Sequence, residues 1–230
     1  MTGLPRQLAL EWGHSESYAR EDFLPAPENQ EALKRIEAWP AWPSPTLLLM
    51  GPGGSGKTHL GAIWARRAGA QAVNGAELAA ADLVALSAGP ALLIDDADRV
   101  GAEEPRLFHL LNLVRERNLS ALLTAARAPD AWGLATPDLL SRLRLAPVVE
   151  LGAPDLELVR AVLFKLFSDR QLVVDPPTVA FLALRIERSL GAARAIVARL
   201  DQEALARGRA VTRALAGEVL REAGLEAEAS

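Results

Sequence analysis

The sequence contains no cysteine, which removes disulfides, thiol nucleophiles and thiolate metal sites from consideration. Its three histidines are scattered and make no metal cluster. Aromatic residues are only 5% of the chain, so Leu, Ala, Val and Ile must fill any core. Lysine is confined to Lys34, Lys57 and Lys165. No stretch approaches the roughly 18 apolar residues of a membrane span. The N-terminus has no charged start followed by an apolar run, so no signal peptide is expected and the protein reads as soluble and cytoplasmic. The formal net charge of −4 argues against a broad non-specific grip on DNA but leaves room for a local basic patch. What is present is 230 residues, half of them apolar, enough for one large domain or a core with a small second one.

One of the few lysines stands in a chemically legible place. Gly51-Pro52-Gly53-Gly54-Ser55-Gly56-Lys57-Thr58 follows the apolar run Thr46–Met50 and precedes a helical pattern, His59–Arg67. It satisfies the phosphate-loop pattern G-x-x-x-x-G-K-[ST] together with its required strand–loop–helix context. Glycines let the backbone bring its N–H groups close to phosphate oxygens, and the free N–H groups of a helix start favour anions. Lys57 is then expected to reach the β- and γ-phosphates of ADP or ATP, and the Thr58 hydroxyl to ligate Mg²⁺. A second apolar run, Ala91–Ile94, ends in Asp95-Asp96. Such a run predicts a strand buried on both faces, with its acids at the end where open α/β sheets bind ligands. Asp95 is expected to hold Mg²⁺ and Asp96 to orient or deprotonate water; a strand-end turn or a helix cap is the structural alternative.

The rest of the chain alternates strands and helices as far as residue 152. Helices are predicted over Glu28–Trp39, Ala76–Leu86, Glu103–Arg117 and Pro137–Leu143, and strands over Gln71–Asn74, Ser120–Thr124 and Val148–Leu151. That alternation predicts a parallel α/β sheet. Beyond Gly152-Ala153-Pro154 only helical patterns remain, at Asp155–Phe167, Pro177–Glu187, Ser189–Arg207 and Thr212–Ala223. The division expected is a tail over 1–13, a nucleotide-binding core over 14–152 and a helical unit over 153–230. Within the tail, Gln7, Leu8, Leu10 and Trp12 form a short apolar pattern suited to a partner's groove.

This order of motifs resembles the AAA+ ATPases, P-loop NTPases with an α/β core and an all-helical lid, and in particular the DnaA family. Tyr18, Phe23 and Asn29 resemble that family's adenine-side segment. Leu93-Ile94-Asp95-Asp96 resembles its Mg²⁺-binding strand end. Thr124, Arg127 and Pro129 resemble its sensor-1 stretch, with Ala126 where the family often has an acid. Pro137–Leu143 resembles the segment bearing an arginine finger, with Arg142 at the finger position, and Ala193-Arg194 resembles the lid's sensor-2 arginine. The tail resembles the peptide by which replication proteins bind the β sliding clamp of DNA polymerase III. A clamp-like tail without room for a DNA-binding domain is the arrangement of the DnaA-related inactivators of the Hda type. The resemblance implies a regulator of replication initiation that binds ADP or ATP, meets DNA through the clamp, and promotes hydrolysis of DnaA-bound ATP, with self-association left open. The residues by themselves also admit a stand-alone DNA-dependent ATPase, such as a helicase loader or transposition helper, because Asp96 offers an acid to orient water.

Overall fold

The computed structural model describes residues 18–223, and these divide into two compact units, the first ending at Gly152 and the second starting at Ala153. Gln7, Leu8, Leu10 and Trp12 lie outside the described residues.

In the first unit the elements in chain order are α1 (Gln30–Glu37), β1 (Thr46–Met50), α2 (Lys57–Ala68), β2 (Gln71–Asn74), α3 (Leu83–Leu86), β3 (Ala91–Asp95), α4 (Glu104–Glu116), β4 (Ser120–Ala125), α5 (Pro137–Leu145) and β5 (Val148–Glu150). The strands form one parallel sheet in the order β2-β3-β4-β1-β5. The three central strands are the apolar runs of the sequence, and their middles are fully covered. Strand side chains alternate between faces, and the packing follows that period. Leu47, Leu49, Leu93 and Leu122 pack with Leu33, Ile36, Leu60 and Trp64 of α1 and α2. Leu48, Leu92, Ile94 and Leu123 pack with Leu107, Leu110, Val114, Leu139 and Leu143 of α4 and α5. The result is a three-layer helix–sheet–helix sandwich.

On the α2 side three indoles meet. Trp42 stacks on Trp64 at 5.2 Å with 17° between planes, and Trp39 meets Trp64 edge-on at 6.3 Å and 89°.

One predicted helix is interrupted. Residues 76–86 form a 3-10 turn, Gly75–Ala80, and then the single turn of α3. The break falls at Asp82, whose carboxylate accepts from the N–H groups of Val84 and Ala85. An Asp side chain that binds backbone in this way starts a new helix rather than continuing the old one.

The second unit consists of α6 (Leu156–Asp169), α7 (Pro176–Ala183), α8 (Leu190–Arg207) and α9 (Arg213–Ala223). Its own core joins Leu163, Phe167, Leu182, Ile196, Leu200 and Val219 among others. Asp155, Asp175 and Ser189 cap three of these helices, each accepting from a backbone N–H three residues on. Gly208 ends α8 in the left-handed conformation.

Candidate functional site

Strand register assembles the site at the carboxyl ends of β3, β4 and β1. Thr124 stands opposite Leu49, and the pairing of Ile94 with Leu123 brings Asp95 out beside Thr124. The Thr124 hydroxyl donates to Asp95 Oδ1 at 2.6 Å and accepts the Asp96 N–H at 2.9 Å. From the first turn of α2, Thr58 Oγ1 donates to Asp95 Oδ2 at 2.9 Å. Both carboxylate oxygens of Asp95 are thus held by hydroxyls, and the residue pair expected to ligate a metal is in direct contact.

The loop between β1 and α2 is closed on itself. A Cβ on Gly51 would lie 2.6 Å from the Leu151 carbonyl oxygen and 2.8 Å from Ser55 Oγ, so no larger residue fits. Gly56 has φ 102°, a region side chains rarely enter, and it turns the chain into α2. Lys57 is buried, and its Nζ donates to the carbonyls of Gly51 at 2.8 Å and Pro52 at 2.9 Å. Burial pushes its amine below the usual lysine value of 10.5, while the carboxylates of Asp96, Asp98 and Asp95 act in the opposite direction. Ser55 Oγ is buried without a hydrogen-bond partner in the protein. By contrast a Cβ on Gly53 would meet nothing within 4 Å. A buried loop hydroxyl without a partner and an open glycine tip are what a phosphate-bearing ligand would complete.

Asp96 adopts the left-handed conformation at φ 50° and leaves its carboxylate half-exposed, 3.8 Å from an exposed Arg99 guanidinium. Asp98 carries no motif signal in the sequence. It is buried, and its carboxylate faces Arg127 at 3.5 Å, tying the loop after β4 to the turn after β3. His59, which opens the helical pattern after the loop, supports the site from behind. Its buried ring meets Tyr18 and Phe23 edge-on, each at 5.4 Å, and its Nε2 lies 3.1 Å from the Ala19 carbonyl. The segment from Tyr18 to Phe23 is therefore strapped across the first turn of α2. Phe23 itself is a core residue packed on His59. Asn29 fixes the chain that follows, its Oδ1 accepting the Ala26 N–H and its Nδ2 donating to the Leu24 carbonyl. A histidine directly after Lys57-Thr58, on a helix face that buries its neighbour Leu60, was the available signal for this support.

Arg142 lies elsewhere. Its Nη1 donates to Asn112 Oδ1 at 2.6 Å and its guanidinium sits over the Phe108 ring, 4.9 Å from the centroid. It lines a cleft of about 410 Å³ with Ser44, Pro45 and Thr46, at the start of β1. The phosphate-type loop leaves the other end of that strand, so about 17 Å of extended chain separates the two ends. Arg194 belongs to the helical unit, half-buried in the second turn of α8. Gly51–Thr58, Asp95, Asp96 and Thr124 are thus brought together, and Arg142 stands apart from them.

No family model matches the chain. Over 133 residues it is 27% identical to the chromosomal replication initiator protein DnaA of Enterococcus faecalis, a match covering 56% of this chain and 30% of that protein. The chain therefore spans less than a third of the curated relative it matches. Domain III of the Thermotoga maritima replication initiation protein DnaA superposes with a TM-score of 0.77 at 20% identity, covering 89% of this chain and 96% of that one. A replication initiator DnaA bound to AMPPCP and single-stranded DNA superposes with a TM-score of 0.64 at 18% identity, covering 83% and 67%. The fold is the AAA+ P-loop NTPase fold in the form that DnaA domain III takes, with a helical C-terminal region.

Proposed function

We propose that this protein is a DnaA-related regulator of replication initiation that carries ADP or ATP with Mg²⁺. In this reading it acts mainly by promoting hydrolysis of ATP held by DnaA, while bound to the β sliding clamp. The observation that carries the reading is that Arg142 and the phosphate-type loop occupy opposite ends of one sheet. An arginine so placed does not serve its own loop. In this reading its guanidinium, held by Asn112 and laid over Phe108, serves a phosphate on another molecule.

The residues at the loop fit a nucleotide. Backbone N–H groups of Gly53–Thr58 and the Lys57 amine would hold its phosphates, with Ser55 Oγ gaining an acceptor. Thr58 and Asp95 would hold Mg²⁺, which when bound neutralises phosphate charge and acts as a Lewis acid. Among the described residues no group of three or more His, Asp or Glu could cage a metal alone, which accords with an ion that takes its remaining ligands from phosphate and water. Asp96, half-exposed, accepts or orients a water proton. Gln7, Leu8, Leu10 and Trp12 supply the clamp contact, and DNA is met through the clamp. Work at the replisome in the cytoplasm follows from these partners. Among the described residues no helix is long and apolar enough to cross a membrane.

The test mixes clamp-loaded DNA, ATP-bound DnaA and each variant, and measures ADP formed on DnaA. Arg142→Ala should lose stimulation while its own nucleotide affinity stays intact. Fingers of this kind are worth about 10³–10⁵ in rate in GTPase systems, and a slower regulatory pair should lose less. Arg142→Lys should recover little, because a point charge does not reproduce the fork. Full stimulation by Arg142→Ala would overturn the reading. The half-exposed Asp96 carboxylate favours a second reading, a stand-alone DNA-dependent ATPase acting as helicase loader or transposition helper. That reading requires DNA-stimulated turnover that Asp96→Asn abolishes and that proceeds without DnaA.

A further inference from the structure

Asp96 holds a backbone conformation that is uncommon outside glycine, left-handed at φ 50° and ψ 47°. Residues with a Cβ pay for that region and keep it where their surroundings impose it. Three contacts do so here. The Asp96 N–H is taken by the Thr124 hydroxyl at 2.9 Å. Its carbonyl accepts the Arg99 N–H at 2.9 Å, closing the turn after β3. The same carbonyl comes up against Gly75, where a Cβ would lie 2.4 Å from the Asp96 oxygen and 3.1 Å from Ala97 Cα.

Gly75 is not there for its conformational freedom. Its own φ is not positive, so its backbone would accept alanine, and the approach of Asp96 is what excludes a side chain. It follows Asn74, the last residue of β2, which stands opposite Asp95 in the sheet. Asn74 Oδ1 accepts the Ala76 N–H at 3.0 Å and starts the 3-10 turn Gly75–Ala80. Leu78 fastens that turn to the core, fully buried in one cluster with Ala97 and Val100. Arg106 Nε donates to the Leu78 carbonyl at 2.9 Å and holds it from the α4 side. A turn so fixed has little room to retreat. An added methyl group, which needs 3.0 Å or more from its neighbours, would push the Asp96 peptide outward.

We propose that the Asn74-Gly75 turn is a positioning element for Asp96, with Gly75 setting where the carboxylate stands, given a nucleotide in the phosphate-type loop and Asp96 as the acid that orients water there. In hydrolysis Asp96 takes the proton of the water that attacks the terminal phosphorus, as the bridging P–O bond breaks and its electron pair leaves on ADP. Such a base must lie within hydrogen-bond reach of the water, and a misplacement of about 1 Å can cost on the order of 10²-fold in rate. Gly75 touches neither nucleotide nor water in this role. It acts through the Asp96 backbone and leaves the carboxylate half-exposed.

The experiment loads the full chain with ATP and Mg²⁺, follows the ADP formed in a single turnover, and measures ATP and ADP affinity by calorimetry. Gly75→Ala should slow that turnover by roughly 10- to 100-fold and leave both affinities at the parental value. In an Asp96→Asn background the same change should cost nothing further, because the group it positions is gone. Asn74→Ala loosens the turn without adding bulk and spares the fold if Gly75→Ala melts too low to assay. It should give a smaller loss that also vanishes with Asp96→Asn. A parental rate in both turn variants would overturn the proposal. So would equal losses with and without the Asp96 carboxylate, the mark of a general structural role. A parent that binds ATP and never turns it over overturns this proposal alone, whereas one that binds no nucleotide overturns the nucleotide reading with it.

Discussion

Thr124 ties two strand ends together with a single hydroxyl, donating to Asp95 and accepting from the Asp96 N–H. Thr124→Val keeps the shape but strands a backbone N–H and removes one bond to a carboxylate. A loss of about 1–3 kcal/mol in urea denaturation is expected, with Thr124→Ser restoring most of it. Lys57 sets a pH dependence. Burial lowers its folded pKa, so between that value and 10.5 the unfolded chain binds more protons and the ligand-free fold gains stability as pH rises. Phosphates act the other way by favouring the charged amine. Nucleotide affinity should therefore begin to fall at a pH below 10.5, as Lys57 deprotonates. Calorimetry across alkaline pH should show that fall in the parent and a flatter, weaker profile in Lys57→Ala. At this scale the loop motif was readable because its residue types answer directly to phosphate geometry, and the Thr58–Asp95 contact followed from it. Asp98 and the bridging hydroxyl of Thr124 were harder to read, since what they touch depends on the register of β3 against β4. The packing of Phe23 against His59, 36 positions away in the sequence, was also beyond local pattern.

Helices and strands were legible where apolar period and punctuation agreed. The continuous runs at β1, β3 and β4 gave buried central strands, and Asp155, Asp175 and Ser189 stand where helix starts were read within a residue or two. The exception is the stretch before β3. The Ala- and Leu-rich helical pattern over residues 76–86 conceals the Asp82 cap, whose local bonds outweigh the periodicity. Capping also carries a prediction for α8, the helix bearing Arg194. Ser189 is buried and accepts the Ala192 N–H at 2.9 Å. Ser189→Ala should lower stability by roughly 0.5–2 kcal/mol, and Ser189→Asp should retain most of the cap. Chemical denaturation followed by circular dichroism measures both.

At the level of the whole molecule, the change of character at Gly152-Ala153 coincides with the point where the chain parts into two units. The helical unit has its own apolar cluster and its own caps, so residues 153–223 expressed alone should give a helical spectrum and a cooperative melt. A non-cooperative melt would show that this core does not suffice by itself. The strand order and the position of Arg142 at the far end of the sheet were beyond the sequence, because neither depends on local pattern. The clustered indoles of Trp39, Trp42 and Trp64 give the molecule an optical signature as well. Trp42 lies nearly parallel to Trp64 at 5.2 Å, close enough for their electronic transitions to mix and for excitation to pass between them. Trp64 belongs to α2, whose first residue is Lys57. Near-ultraviolet circular dichroism and native emission should therefore register a small shift of that helix when its loop is filled, with no dye attached.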